Sequence, residues 1–554
     1  MTQFLHAAIR AMVPLLALLA SLLAALLAPD SGVALTIYTL SAFLLLLGLI
    51  DVLQNGNAVI RNYPVAGHIR FLGYRLRPFL RQYIVEDDLE GTPLSFEARN
   101  LVKARAKGDT DTHPFGSERA MDADGYVWVS HSIAPVADPD TDPRVRVGGD
   151  QCRQPYEASL LNVSAMSFGA LSARAIEALN LGAAKGGFYQ DTGEGGLSDY
   201  HLRHGGDLVW ELGSGYFGAR DRQGRFDPES FRDKAQRESV RMTEIKLSQG
   251  AKPGHGGLLP AAKVTDEIAA VRQVPAHRDC LSPRGHSAFS TPVGLLEFAA
   301  RMRDLSGGKP VGIKLCVGQP HEVMALMKAM LKTGIRLDFI IVDGAEGGTG
   351  AAPLELSDWV GMPLKEGLAV VRNALEGSGL RRHVRLAASG KVYSGMGIAH
   401  NLAVGADWCN AARAFMFSVG CIQSKRCHLG TCPTGVATQD PWRQAGLVPG
   451  VQGERAARFH RKTIEALVGI TAACGLTHPA DLQPHHLAIR TGPAEAKPLD
   501  ELQHFLPEGI LLEDPQSTQY AEFWEAADPD TFAPRIDLTE RRVSIDERNT
   551  GLFT

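Results

Sequence analysis

Hydrophobic positions keep two different rhythms along this chain. Near the N-terminus they run unbroken: "MVPLLALLASLLAALLA" (residues 12–28) and "VALTIYTLSAFLLLLGLI" (33–50) carry no charge. Each is close to the ~20 residues that a spanning helix needs, and "PDSG" between them is a turn signal. A transmembrane helical hairpin is therefore expected over residues 1–55. From about Tyr156 the rhythm shortens. The β-rich runs "SLLNVSAMS", "GGFYQDTGEGG", "SVRMTEIKLSQG", "RDCLSP", "PVGIKLCVG", "LDFIIVDGAEGGTG", "HVRLAASGK" and "ADWCNAARA" alternate with helix-like stretches such as 173–184, 260–271, 292–304 and 321–333. Strands alternating with helices, each strand ending in a Gly-rich or polar turn, predict a parallel α/β fold. Chemistry gathered after the strands predicts a (β/α)8 TIM barrel. A doubly wound sheet would carry G-x-G-x-x-G after its first strand, which "SAMSFGALS" lacks. The expected order is hairpin 1–55, connector 56–155, barrel 156–490 and a C-terminal tail over 491–554, surface-wrapping or loose. Residues 455–475 read as one amphipathic helix.

Charge refines the picture at the membrane end. Arg61, Arg70, Arg75, Arg77 and Arg81 follow the second apolar run, with no acid between Asp51 and Glu86. By the positive-inside rule this flank stays in the cytoplasm, so the expected location is the cell inner membrane with a cytoplasmic catalytic domain. A signal peptide built on Arg10 and the first run is the competing reading, but Pro29 makes a poor cleavage context and the second run would still anchor the chain. Over all 554 residues the net charge is −4, with no basic stripe interleaved with aromatics, which argues against a nucleic-acid partner. Five of the eight cysteines are scattered singly, a pattern that suits a reducing compartment.

Candidate chemistry sits on the turns. "MSFGALS" (166–172) opens a helix that Ser167 or Ser172 can cap. "DTGEGG" (191–196) displays Glu194 among three glycines. "KLSQGAKPGHGG" (246–257) sets Lys246 and Lys252 about Gln249 in a loop with four glycines, donors suited to a dicarboxylate or to a flavin ring that becomes anionic on reduction. It lacks the order of a phosphate loop for nucleoside triphosphates. Arg272 either completes a carboxylate clamp or is a lone surface arginine. "VDGAEGGTG" (342–350) and "AASGKV" (387–392) follow late strands, where backbone N–H groups hold phosphate-bearing cofactors, and Lys391 and Arg413 add charge there.

"GCIQSKRCHLGTCPTGVATQD" (420–440) holds Cys421, Cys427 and Cys432 in C-x5-C-x4-C spacing. Zinc prefers four ligands in paired spacing, and no interval is the C-x-x-C of a redox pair. Three thiolates on one loop can wrap an iron–sulfur cluster, but the spacing matches no ferredoxin run. Spacing alone leaves the metal open.

Taken in order, "SAMSFGALS", "TGEGG", "QGAKPGHGG", "GGTGAAPL" and "CIQSKRCHLGTCPTGVATQD" resemble the FMN-binding synthase domain of glutamate synthase, over roughly residues 156–490, and in particular its short free-standing members. The resemblance implies a barrel holding FMN and, through Cys421, Cys427 and Cys432, a [3Fe-4S] cluster. It implies oxidoreductase chemistry on CH–NH2 groups: ammonia adds to 2-oxoglutarate, and 2-iminoglutarate is reduced to L-glutamate by hydride from FMN, a step of glutamate biosynthesis. Carried over, Ser164, Ala165, Met166, Ser167 and Lys246 line the flavin. Lys314, Gly347, Gly348, Gly390, Lys391 and Arg413 hold its ring and phosphate. Gln249, Lys252 and Arg272 face the carboxylates of 2-oxoglutarate, and Glu194 sits near the ammonia and imine. Three departures matter. No glutamine-hydrolysing domain with its leading cysteine is present, so ammonia is expected from solution or a separate glutaminase subunit. His255 and Leu258 replace polar residues that lie close to the 2-oxoglutarate site in the family, which keeps open another amino or 2-hydroxy acid, such as an N-alkylglutamate. The hairpin points to a membrane-associated electron donor, ferredoxin or quinol-linked, and no NAD-binding fingerprint is present. A non-turnover flavoprotein subunit for electron transfer is the remaining alternative.

Overall fold

The computed structural model describes residues 2–27 and 31–536, with side chains from Leu15 onward. The chain forms two compact units, Met1–Glu97 and Ala98–Thr554. In the first, helices Thr2–Leu27 and Gly32–Leu53 pack on each other. The buried positions Ala34, Ser41 and Gly48 recur every seven residues, so small side chains share one face and admit the neighbouring helix. Gly32–Leu53 is the one helix among the described residues long and apolar enough to cross a membrane, and the apolar stretch Leu15–Leu27 is shorter. At 1.5 Å per residue its 22 residues span about 33 Å, near the hydrocarbon thickness of a bilayer. Most of the "PDSG" turn lies outside the described residues.

The second unit is built on a closed barrel of eight parallel strands: β1 Leu161–Val163, β2 Gln190–Asp191, β3 Leu208–Leu212, β4 Val240–Lys246, β5 Val311–Leu315, β6 Phe339–Asp343, β7 Arg385–Ser389 and β8 Trp408–Ala411. Each strand pairs with the next in sequence, and β8 closes on β1 in the register Cys409↔Leu161, Asn410↔Asn162 and Ala411↔Val163. This is the expected TIM-barrel topology. Two elements differ from the sequence pattern. β3 carries no alternation because all five of its residues are buried; facing core on both sides, it has no solvent side to mark it. "RDCLSP" contributes only Cys280–Leu281, which pairs antiparallel with Leu258–Leu259 in a side hairpin off the barrel.

Helices cover the outside. Ala173–Gly186 starts where Ser172 Oγ accepts from the N–H of Ala175 at 3.2 Å, so Ser172 rather than Ser167 is the cap. The stretch 260–271 breaks into a short turn, Ala261–Lys263, and helix Asp266–Arg272, capped by Thr265. Pro449–Ala473 packs along Ala173–Gly186. Beyond it, Leu487–Gly492 pairs with both Val127–Val129 and Glu495–Pro498. The short helices that follow lie against the barrel's outer helices: Lys328 Nζ donates to the carbonyls of Trp524 (2.6 Å) and Ala527 (3.0 Å). Residues 537–554 lie outside the described residues.

Gly312 on β5 faces Phe339, its partner on β6, and the Phe339 ring fills the space that a Cβ at 312 needs. Gly312→Val is expected to destabilise the barrel by about 1–3 kcal/mol through overpacking. A lowered thermal denaturation midpoint with unchanged secondary-structure content checks it.

Candidate active site

The closed barrel brings the turns after its strands to one rim. Lys246, the last residue of β4, donates from Nζ to Gln249 Oε1 at 2.5 Å and lies 3.1 Å from Glu194 Oε1, just past β2. A cleft here is lined by Glu194, Lys246, Gln249 and His255, joined by Ser214 and Arg284. Burial alone would raise the Glu194 carboxyl, but Lys246, Arg272 and Lys252 together hold it below the usual carboxylate range. Lys252 is buried and its ammonium makes no hydrogen bond among the described residues. Burial and the charge of Lys246 push its pKa down, and Glu194 partly restores it.

Arg272 is neither a surface arginine nor free at the mouth. It is buried, donates from Nη2 to the Phe168 carbonyl at 3.0 Å and to Ser167 Oγ at 3.3 Å, and lies over the Phe217 ring. Its Nε has no partner. Arg272 thus pins the turn after β1 and adds positive field to Glu194. His286, not singled out by the sequence, braces the same region: its Nδ1 faces Tyr216 Oη at 3.1 Å and its Nε2 the Lys246 carbonyl at 2.9 Å.

On the other side of the rim, Ser164 and Ser389 share a hydrogen bond of 3.2 Å between the ends of β1 and β7. Ala165, Met166 and Ser167 follow on the β1 turn. After β6, Gly347 and Gly348 lie beside Arg413, whose Nη2 donates to the Glu346 carbonyl at 2.7 Å. A Cβ at Gly348 would sit 3.3 Å from Arg413 Cδ, so glycine leaves a cradle of bare backbone over a guanidinium. Gly390 and the exposed Lys391 form the turn after β7. Backbone donors with one arginine and one lysine fit a phosphate monoester, and FMN is a group these residues suit. The two sides touch. The N–H of Gly250 donates to Asp343 Oδ2 at 2.9 Å, and Gly250 sits so close to the Gly344 carbonyl that no side chain fits.

Lys314 lies level with Lys246 in the register but is engaged below the rim. Its ammonium bonds Glu211 and lies 3.7 Å from Glu244. Asp191, Glu211 and Glu244 are buried with one carboxylate oxygen from each within 4.8 Å of the others, and neither oxygen of Glu244 has a hydrogen-bond partner. Three carboxylates facing one ammonium in a dry interior cannot all ionise. Burial, then the charge of Glu211, pushes Asp191 up to about 7, and burial with the charge of Asp191 raises Glu244 well above the carboxylate range. For Lys314, burial works against the charge, but the surrounding acids hold its pKa well above normal. The acids inside strand-like runs, Glu244 in "RMTEIK" and Glu211 in "LVWEL", were the sequence signal for this cluster.

The cysteine loop follows β8 and helix Arg413–Ser418. Cys421, Cys427 and Cys432 are near enough to interact electrostatically. Among the described residues, however, their sulfurs are not all within 4.8 Å of one another. A single zinc with Zn–S bonds of about 2.3 Å holds its sulfurs within roughly 4 Å, so a wider cuboidal cluster suits these positions better. Gly420, Gln423, Lys425, Gly430 and Gly435 all take positive φ, a backbone that turns N–H groups inward toward an anion. Lys263 Nζ bonds the Cys427 carbonyl, and Lys103 faces Cys421. The donor set fits an anionic iron–sulfur cluster.

The buried acids generate a pH prediction. Their native pKa values are raised, so the folded chain keeps protons that the unfolded chain releases near pH 4. Their contribution to stability is full below that pH and is lost as pH rises through about 7. Glu244→Gln, neutral and nearly isosteric, is expected to make the denaturation midpoint fall less steeply between about pH 5 and 8. An unchanged slope in the variant would count against a protonated Glu244.

Comparison with known proteins places this architecture. Residues 142–477 match the conserved region in glutamate synthase. The glutamate synthase large subunit-like protein YerD of Bacillus subtilis (strain 168) is 37% identical over 495 residues, covering 82% of this chain and 94% of that protein. The archaeal-type glutamate synthase [NADPH] of Thermotoga neapolitana is 32% identical over 328 residues, 59% of this chain. The chain spans 61% of the length of that relative. Among solved structures, a flavocytochrome b2 variant with sulfite bound aligns with TM-score 0.41 at 12% identity, over 81% of this chain and 90% of that one. With its barrel inside the matched region, the chain belongs to the glutamate synthase family.

Proposed function

We propose that this chain is a membrane-anchored, FMN- and iron–sulfur-dependent oxidoreductase that reductively aminates 2-oxoglutarate to L-glutamate. The observation that carries the reading is the Glu194–Lys246–Gln249 contact at the barrel rim, with Lys252 buried and unbonded beside it. Lys252 provides the cation for a substrate carboxylate, and Gln249, steered by Lys246, provides an amide to orient it. Glu194, kept ionised by its three cationic neighbours, takes a proton from ammonium as nitrogen adds to the keto carbon. The same carboxyl then returns the proton to the leaving hydroxyl, which departs as water and leaves the imine. Ser164 to Ser167, Gly347, Gly348, Gly390, Lys391 and Arg413 hold FMN, which supplies the hydride that reduces the imine carbon. Cys421, Cys427 and Cys432 hold a [3Fe-4S] cluster, which supplies electrons one at a time. Lys314 charges the interior beneath the site. Ammonia comes from solution or a separate glutaminase subunit, and helix Gly32–Leu53 anchors the chain with the barrel on the cytoplasmic side. His255 at the rim of the cleft, with Leu258 nearby in sequence, favours a second acceptor with an altered distal group, such as an N-alkylated analogue.

The decisive experiment is anaerobic purification in detergent and photoreduction, followed by addition of 2-oxoglutarate and ammonium. Flavin reoxidation with stoichiometric glutamate is expected, and indifference to both substrates overturns the reading. Glu194→Gln is expected to slow turnover by about 10²–10⁴ with flavin content unchanged. Cys427→Ser is expected to remove the iron–sulfur visible absorption.

A further inference from the structure

We propose that helix Ala66–Leu80, with its continuation Arg81–Val85, lies in the membrane interface and binds the anionic headgroups of phospholipids. The inference rests on the reading of Gly32–Leu53 as a membrane span. Ile69, Leu72, Leu76, Leu80 and Tyr83 recur every three or four residues, so they share one face, and each is at least 45% exposed. A contiguous apolar stripe of this length left to water needs an occupant. Its borders identify the occupant. At 100° per residue, Arg70, Arg77 and Arg81 fall along one edge of the stripe and Arg75 along the other. Arg75, Arg77 and Arg81 form no salt bridge among the described residues, and no acid lies between Asp51 and Glu86 to neutralise them. Arginines flanking an apolar face let the stems lie along acyl chains while the guanidinium groups reach phosphate. A second copy of the helix would set arginine against arginine.

The helix is also held at the right depth. Asp51, near the end of Gly32–Leu53, is 3% exposed. Its carboxylate accepts from the N–H of Val65 at 2.7 Å and contacts His68 Nε2 at 2.9 Å, which ties the start of the second helix to the end of the first. Gln54 closes the turn between them, exchanging hydrogen bonds of 2.8 Å with the backbone of Asn57. Val65 takes φ 62°, which a β-branched residue accepts only where its surroundings enforce it. The bend is built into the fold, and it delivers the arginine-edged face where an apolar span ends and headgroups begin.

The test is hydrogen–deuterium exchange by mass spectrometry on the full chain in nanodiscs of phosphatidylcholine alone or mixed with phosphatidylglycerol. Slower exchange of peptides covering 66–85 in the anionic discs is expected, reversed by high salt. The gain should fall by about fivefold for each arginine removed in a series from Arg70→Gln to the variant lacking Arg70, Arg75, Arg77 and Arg81. Identical exchange of 66–85 in both discs, with 32–53 protected in both, overturns this inference alone. Failure of 32–53 to be protected in either disc overturns the span and the interfacial helix together.

Discussion

Closure of the sheet between β8 and β1 is the constraint on which the catalytic unit depends. Three parallel pairings, from Cys409↔Leu161 to Ala411↔Val163, turn an open sheet into a ring. A ring of parallel strands has one rim where every strand ends. Glu194, Lys246, Gly347, Gly390 and Arg413 come from five different strand ends spread over more than two hundred residues of sequence. No local interaction brings them together, and the ring does.

The ring's interior sets a second condition. Glu211, Glu244 and Asp191 point into a space where only Lys314 carries compensating charge, and the mismatch is resolved by protons rather than by water. Because Lys314 and Lys246 are paired positions on adjacent strands, two lysines of like origin are separated by function. One is satisfied below the rim by carboxylates, and the other is presented at it to Glu194 and Gln249. The acids thereby keep Lys314 from competing for the ligands of Lys246.

Much of this was legible in the sequence because glycine and charge concentrate where strands end. The turns holding Glu194, Lys246, Gln249 and Lys252 could be read from composition alone, and the eightfold alternation gave the barrel. β3 was not legible, since "LVWEL" is buried on both faces and its acid reads as solvent-facing. "RDCLSP" was read as a full strand because two residues of extended chain look alike in a barrel and in a side hairpin. The role of Arg272 was hidden for another reason: its partners Ser167 and Phe168 lie about a hundred residues earlier, beyond any local pattern. His286 is concealed in the same way by its distance from Tyr216.

The contact between Gly250 and Gly344 has a thermodynamic meaning. The turn bearing Gln249 and Lys252 and the turn bearing Gly347 and Gly348 are seated on each other with no room for a side chain between them, and Asp343 bonds across the join. A displacement of either is transmitted to the other through backbone contact. Occupancy on one side of the rim therefore changes affinity on the other, and reciprocity requires the factor to be the same in both directions. The two halves of the mouth behave as one coupled receptor, with Gly250 as the joint.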